Sequence, residues 1–347
     1  MNTNFFFYII FISVLINSII LISFKYLSKK INIYDIPNQD RKLHQKNTPL
    51  LGGLIVSINI TIYFFILISE YFLFDNKYFT EATQFGLREF FSFMFISMIV
   101  FFIGLYDDKF NLDPLKKILL LFITLYISIG LDNKLIIESL DLNVFEINIL
   151  LGSQSGLIFS IFSFLVLINA LNLFDGLNMQ SSGIFIFTYL ILIINGIYVD
   201  ISLILLLANL TFLYLNYKDQ CFYGDSGIYI NSYFIGYMLT KSYNANQGLS
   251  PESIFLLFLL PCIDMLRIFF IRIINNKNPF VGDRNHFHHL LKNKVSNNNS
   301  LALIIFISSI SPFCLFNFFD INFLIVIILS LIMYSIIIYV FRNATKI

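Results

Sequence analysis

The sequence predicts an all-α polytopic membrane protein, and two observations carry this prediction. Hydrophobic residues occupy 58% of the 347 positions and charged residues only 12%, whereas about a quarter of a soluble domain is charged. The apolar residues form runs long enough to cross a bilayer, which takes about 20 residues at helical rise. The net charge of +1 creates no basic field, so we expect no nucleic-acid partner.

Proline, glycine and charge clusters divide the chain into eleven candidate transmembrane helices, with ten or twelve as alternative counts. We expect one integral membrane domain over residues 1–347, with 4–24 as a retained first span because no basic residue precedes it. The candidate spans are 4–24, 50–69, 90–106, 115–131, 156–173, 182–198, 200–216, 227–240, 252–272, 301–318 and 321–341.

The segment between the fourth and fifth candidate spans is too polar to cross the membrane. Its apolar residues alternate from Leu142 to Ile149, and a period of two is typical of a strand. We therefore expect a small extracytoplasmic β-hairpin near residues 135–151. The three cysteines lie far apart and indicate neither a disulfide framework nor a zinc motif.

Basic residues determine the predicted orientation. With the N-terminus outside, the loops and helix ends on the inner side contain 18 Lys and Arg, and the outer side contains 4. Loops rich in Lys and Arg stay in the cytoplasm. Five clusters of polar residues lie at span ends, and all five are on the side predicted to be cytoplasmic.

The first cluster, or first motif, runs from Asp35 to Gly53 and contains Arg41-Lys42-Leu43-His44. Its basic residues suit anionic oxygens, although a plain basic loop is the alternative. The second is Asp107-Asp108, followed by Lys117. Adjacent carboxylates disfavour joint ionisation, which indicates a metal-binding or proton-transfer role, with a solvated helix end as the alternative.

The third cluster places Asn169, Asn172, Asp175 and Asn178 three residues apart. Such residues share one side of a helix, which indicates a binding role; the alternative is that Gly176 ends the helix before Asn178. The fourth cluster, Gly224-Asp225-Ser226-Gly227, allows close approach of a ligand to the backbone. Its alternative reading is Asp225 as a helix N-cap.

The fifth cluster begins with Asp264 and Arg267 and continues through 278–289. It contains three of the four histidines, namely His286, His288 and His289. A zinc site is the rival interpretation, but no cysteine accompanies the histidines. Carboxylates and amides dominate the other clusters, and these ligands suit Mg²⁺.

The order of these motifs resembles the polyprenyl-phosphate N-acetylhexosamine-1-phosphate transferase superfamily, or glycosyltransferase family 4, which includes the WecA, TagO and MraY types. The resemblance extends from about Asp35 to Leu291. The His-x-His-His pattern and the preceding Asn278-Pro279-Phe280 are closer to the WecA/TagO branch. Asn178 and Ile228 depart from the family pattern, as does the lack of a glutamine shortly after Lys117.

The resemblance implies transfer of an aminosugar 1-phosphate from a UDP-sugar to undecaprenyl phosphate, with release of UMP, in one step or two. It implies Mg²⁺ as cofactor, with Mn²⁺ as the alternative, and a multi-pass protein of the bacterial inner membrane with a cytoplasmic active site. The implied partners are a UDP-aminosugar, undecaprenyl phosphate and membrane lipid; a homodimer is left open, as are the sugar and the glycan pathway.

The resemblance also implies roles for individual residues. Asp107, Asp108, Asp175 and His286 would be catalytic, and Asp225 and Asn172 would hold the metal, with either Asp107 or Asp108 orienting or deprotonating the lipid phosphate. The nucleotide and phosphates would be bound by Asn169, Asn172, Asn178, Phe222, His44, Lys117, Arg284, His288 and His289.

Two other classes remain as rivals. A transporter also places ionisable residues in its helices, but near the midplane and in repeated halves, and this chain shows no repeat. A UbiA-type prenyltransferase also uses acidic loops and Mg²⁺, but it does not explain the histidine cluster.

The basic-residue bias predicts a labelling pattern. In a cysteine-free background, single cysteines at positions 110, 178 and 285 should react with a membrane-impermeant thiol reagent only after the membrane is opened. A cysteine at position 140 should react in intact cells. Labelling of positions 140 and 285 from the same side would contradict the orientation.

Overall fold

The computed structural model describes residues 3–37, 46–73, 86–278, 287 and 298–342. This part of the chain contains twelve α-helices: α1 (Thr3–Ile31), α2 (Gly52–Leu73), α3 (Leu87–Phe110), α4 (Pro114–Leu131), α5 (Gly152–Phe174), α6 (Gln180–Ile194), α7 (Val199–Tyr217), α8 (Gly224–Asn244), α9 (Pro251–Leu257), α10 (Leu259–Ile274), α11 (Asn298–Asn317) and α12 (Phe323–Arg342).

The predicted all-α membrane fold is confirmed. By length and composition, seven of the described helices can cross a membrane, or eight if the bent pair α9–α10 forms one span. Helices α6 and α12 are also apolar, but their apolar stretches are shorter than those of the seven helices. Ten of the eleven predicted segments each coincide with one helix and the ninth with two, and the number that cross the bilayer remains a prediction.

The ninth predicted span, 252–272, is wrong as a single helix. Helix α9 ends at Leu257, α10 begins at Leu259, and their axes differ by 67°. Pro261 lies in the first turn of α10. Because proline has no N–H group, it cannot donate to the carbonyl of Leu257, and the helix restarts at this point.

Two small antiparallel sheets lie outside the helices. Strands β3 (Ser139–Leu142) and β4 (Ile147–Leu150) form the predicted hairpin, with Ser139 opposite Leu150 and Leu142 opposite Ile147. Strands β1 (Tyr34–Asp35) and β2 (Thr48–Pro49) pair on the other side of the helical layer.

Helix α8 is the centre of the bundle. It packs against α2, α3 and α5, and every side chain from Ser226 to Ser242 is buried. This position explains a composition that is polar for a membrane helix, since hydroxyl and amide groups are satisfied by neighbouring helices rather than lipid. For example, Asn231 accepts hydrogen bonds from Tyr189 and Asn209, both at 2.9 Å.

Helices α3, α4 and α8 are joined by charged groups at both ends. At the end near the hairpin, the ammonium of Lys241 lies 2.5 Å from Glu89 and 2.7 Å from Asp132. At the other end, Lys117 of α4 contacts carboxylates of α3 and α8. The relative positions of these helix ends are therefore fixed by two ion-paired groups.

Candidate active site

Four charged side chains from three helices meet at the second of these ends. Asp107 and Asp108 lie in the last turn of α3, Lys117 in the first turn of α4, and Asp225 in the first turn of α8. The Lys117 ammonium lies 2.6 Å from Asp107 and 3.3 Å from Asp225. We call these four residues the carboxylate–lysine group.

A short turn brings Lys117 back to α3. Asn111 ends α3 in the left-handed conformation, with its N–H on the carbonyl of Asp107. Asp113 then caps α4, accepting from the N–H of Leu115, and Pro114 occupies the first helical position, where proline is favoured. The tight reversal positions the lysine one turn into α4, beside the end of the preceding helix.

Asp107 accepts hydrogen bonds from three donors. One oxygen accepts from the Leu112 N–H at 2.8 Å, and the other from Lys117 at 2.6 Å and the Tyr229 hydroxyl at 3.4 Å. Its side chain is 2% exposed, compared with 24% for Asp225. Asp107 thus holds Lys117 in place, while Asp225 keeps access to solvent.

Asp108 reaches across to the start of α8. Its carboxylate accepts from the N–H of Asp225 at 2.6 Å, the N–H of Ser226 at 3.2 Å and the Ser226 hydroxyl at 2.7 Å. The first N–H groups of a helix have no partner within the helix, and they favour a negative charge. Asp108 therefore caps α8 from another helix, a role that the sequence did not predict.

Two glycines allow this contact. Gly224 has φ +67°, a backbone conformation that residues other than glycine rarely adopt. A Cβ at this position would collide with the Asp108 carboxylate. A Cβ at Gly104 of α3 would collide with the backbone of Asp225 and Ser226. Both positions therefore require glycine for α3 and α8 to approach.

Only two members of the third predicted cluster, Asn169 and Asn172, lie within a helix. Helix α5 ends at Phe174, so Asp175 is its C-cap and Asn178 lies in the following turn. The structure agrees with the alternative reading, in which the helix ends before Asn178. Asn178 instead donates to Asp219 and accepts from Asn216.

The other members of this cluster remain on or next to α5. The Asn169 amide donates to the carbonyl of Leu165 at 2.7 Å, and the Asn172 amide has no hydrogen-bond partner within the described ranges. Burial raises the pKa of Asp175 to about 7, and the nearby charge of Asp108 adds to this effect. Asp175 is thus within range of the charge of Asp108.

The end of the first motif reaches the same place. The N–H of Phe222 donates to the carbonyl of Pro49 at 2.9 Å, and the N–H of Gly52 donates to the carbonyl of Phe222 at 3.0 Å. The Phe222 side chain is half-buried, three residues before Asp225. His44, Arg284, His286, His288 and His289 lie outside the described residues.

A divalent cation fits the composition of the carboxylate–lysine group. Two of its three carboxylates contact the one ammonium, and oxygen ligands of this kind suit Mg²⁺. Among the described residues, however, no three His, Cys, Asp or Glu side chains converge as a complete metal site. Oxygen atoms of substrate and water would have to complete the coordination.

Residues 90–243 match the family model described as Glycosyl transferase family 4, and this range contains the whole carboxylate–lysine group. The resemblance of the chain to glycosyltransferase family 4 is supported over this range. Curated relatives carry the name undecaprenyl-phosphate alpha-N-acetylglucosaminyl 1-phosphate transferase. The chain is 28% identical to the one from Thermotoga maritima, over 80% of this chain and 79% of the relative.

Two further relatives with the same name are similar over much of their length. The identity is 26% with the Haemophilus influenzae protein, over 87% of this chain and 83% of the relative. It is also 26% with the Escherichia coli K12 protein, over 76% of this chain and 70% of the relative. These names agree with the WecA branch of the glycosyltransferase family 4 superfamily.

The glycine requirement at Gly224 predicts a specific loss. Gly224→Ala should lower turnover at least about tenfold, because a left-handed alanine costs roughly 1–2 kcal/mol and displaces Asp108 as well. Gly130→Ala is the matched control, since a Cβ there meets nothing within 4 Å. Transfer activity and thermal unfolding of both purified variants check this; equal activities would show that the α3–α8 contact tolerates a methyl group.

Proposed function

We propose that this chain transfers an aminosugar 1-phosphate from a UDP-aminosugar to undecaprenyl phosphate and releases UMP. The observation that carries the proposal is the carboxylate–lysine group, in which α3, α4 and α8 each contribute charged residues to one end of the bundle. The names of the relatives supply the substrates, of which N-acetylglucosamine is the first candidate sugar.

The reaction joins two anions, so the site has to reduce the electrostatic repulsion between them. An oxygen of the lipid phosphate forms a bond to the phosphorus that carries the sugar, the bond from that phosphorus to the bridging oxygen breaks, and UMP leaves with the bridging oxygen. Such transfers depend mainly on positioning and electrostatics. Lys117, held between Asp107 and Asp225, is placed to offer its charge to a phosphate.

Mg²⁺ would be held by Asp225, with Asn172 as a further oxygen ligand, and when bound it would withdraw charge from the diphosphate. Asp225 is the favoured ligand because its carboxylate is the more exposed of the two that contact Lys117. The Asn172 amide hydrogen-bonds to none of the described residues, which leaves its oxygen available. Mn²⁺ is the alternative metal.

The bonding of the aspartates favours a direct, one-step displacement. Asp107 and Asp108 each accept from three donors, so neither carboxylate is free to attack phosphorus. A phosphate monoester has its second pKa near 6, and the lipid phosphate can therefore arrive largely ionised. Asp175, whose pKa is raised to about 7, is suited to accept a remaining proton.

The remaining site residues would hold the donor. The half-buried Phe222 ring would stack on the uracil, and Asn169 and Asn178 would lie along the nucleotide. His44, Arg284, His286, His288 and His289 would contact phosphates. The whole site would face the cytoplasm of a bacterium, where the water-soluble donor is available, and the lipid phosphate would enter from the bilayer.

The position of the carboxylate–lysine group also separates this proposal from its rivals. A transporter would need its ionisable residues near the midplane, whereas these residues occupy the last turn of α3 and the first turns of α4 and α8. A UbiA-type prenyltransferase would consume a prenyl diphosphate and release diphosphate instead of UMP.

The proposed metal ligand predicts the effect of one substitution. Asp225→Asn should abolish Mg²⁺-dependent release of UMP from UDP-GlcNAc in the presence of undecaprenyl phosphate, because the amide removes the charge that binds the metal. Asp320→Asn is the matched control, an exposed carboxylate outside the proposed site. Purified proteins are compared across a Mg²⁺ titration and a panel of UDP-aminosugars.

Three results would decide the matter. Loss of activity in Asp225→Asn alone supports the metal assignment. An unchanged Mg²⁺ dependence in Asp225→Asn would contradict it. If the wild-type protein released no UMP with any UDP-aminosugar, or consumed a prenyl diphosphate, the proposed function itself would be wrong.

A further inference from the structure

A third group of charged residues lies apart from the carboxylate–lysine group and from the ion pairs of Lys241. Asp264 of α10 accepts from the Arg267 guanidinium at 2.8 Å and from the Tyr334 hydroxyl at 2.7 Å. Arg267 also donates through Nε to the Tyr334 hydroxyl at 2.6 Å. The three side chains join α10 to α12, the last helix, whose contribution no sequence motif indicated.

The Asp264 carboxylate also binds the backbone of Phe287. The Phe287 N–H lies 3.2 Å from one carboxylate oxygen and 3.3 Å from the other. The Phe287 ring stacks on the Tyr334 ring, with centroids 5.4 Å apart and planes 24° apart, and Phe287 is fully buried. Residues that lie 23 and 70 positions from Asp264 in the sequence therefore converge on one carboxylate.

The contribution of such a group to the folding stability does not by itself explain its presence. A buried ion pair is often no more stabilising than apolar side chains of the same volume, because both charges lose their hydration. Apolar contacts could therefore have joined α10 to α12. A backbone N–H group is different, since once buried it requires an acceptor, and the Asp264 carboxylate supplies one.

We propose that Asp264, with Arg267 and Tyr334, is a positioning device for the histidine motif. It fixes the backbone and ring of Phe287, which is bonded directly to His286 and His288. Consecutive Cα atoms are about 3.8 Å apart. A fixed Phe287 therefore limits the positions that the Cα atoms of the two flanking residues can occupy. The assignment of these histidines to the transfer reaction rests on the proposed function; the anchoring of Phe287 does not.

Hydrogen exchange on the full-length protein in detergent tests the anchor without any assay of activity. In Asp264→Ala, the peptide that contains Phe287 should exchange at least about tenfold faster, because its N–H loses a charged acceptor. Tyr334→Phe should give a smaller increase, since the ring stays and only the hydroxyl is lost. This milder variant decides the matter if Asp264→Ala does not fold.

The matched control is Asp132→Asn. This variant disrupts the buried ion pair with Lys241 at the end of the bundle near the hairpin. It should leave exchange at Phe287 unchanged. The anchor is refuted if the Phe287 peptide exchanges at the wild-type rate in the folded Asp264 or Tyr334 variant. It is equally refuted if Asp132→Asn accelerates that peptide as much, because the effect would then be a general loosening.

A double-mutant cycle tests the link to catalysis. If Asp264 acts through the motif, Asp264→Asn should lower kcat in the wild-type background and have little further effect once His288 is replaced by alanine. Fully additive losses would show that Asp264 does not act through the histidine. Absence of UMP release by the wild type would refute the proposed function, while the exchange result would still decide the anchor.

Discussion

The contact of Lys117 with carboxylates from two other helices is the interaction on which the arrangement of the site depends. The Lys117 side chain is 23% exposed and Asp107 is 2% exposed, so water does little to satisfy either charge. Removing charged groups from water is costly unless each finds a partner in good geometry. Here that requirement brings the last turn of α3 and the first turns of α4 and α8 into one place.

The rest of the bundle is consistent with this constraint. Asp108 caps α8 from α3, and Gly104 and Gly224 allow the two backbones to approach. Lys241 holds the opposite ends of the same three helices through Glu89 and Asp132. With both ends fixed, α8 can bury a polar sequence among its neighbours. The charged residues of the site are therefore carried by helix ends.

The sequence predicted the helices well because hydrophobic runs report directly on burial in lipid or protein. It also identified Asp107, Asp108, Lys117 and Asp225 as members of one site, since each follows or begins a helix on the same side. It did not show that Asp108 caps α8, because a cap from another helix leaves no local pattern. The break at Phe258 was missed for a similar reason: the hydrophobic run continues through it. Lys134 and Lys241 were counted only as basic residues. Their ion pairs with Glu89 and Asp132 join residues more than 40 positions apart in the sequence, so no local pattern indicated them.

The most direct test of this account is the turnover of Lys117→Met, measured as UMP released by the purified protein from UDP-GlcNAc and undecaprenyl phosphate. Loss of one partner from a buried ion pair typically costs about 3–5 kcal/mol, and methionine keeps the apolar length of the side chain. We expect turnover to fall at least about a hundredfold in a protein that still inserts and unfolds cooperatively. Turnover within about twofold of the wild type would show that neither the lysine nor its two ion pairs organises the site.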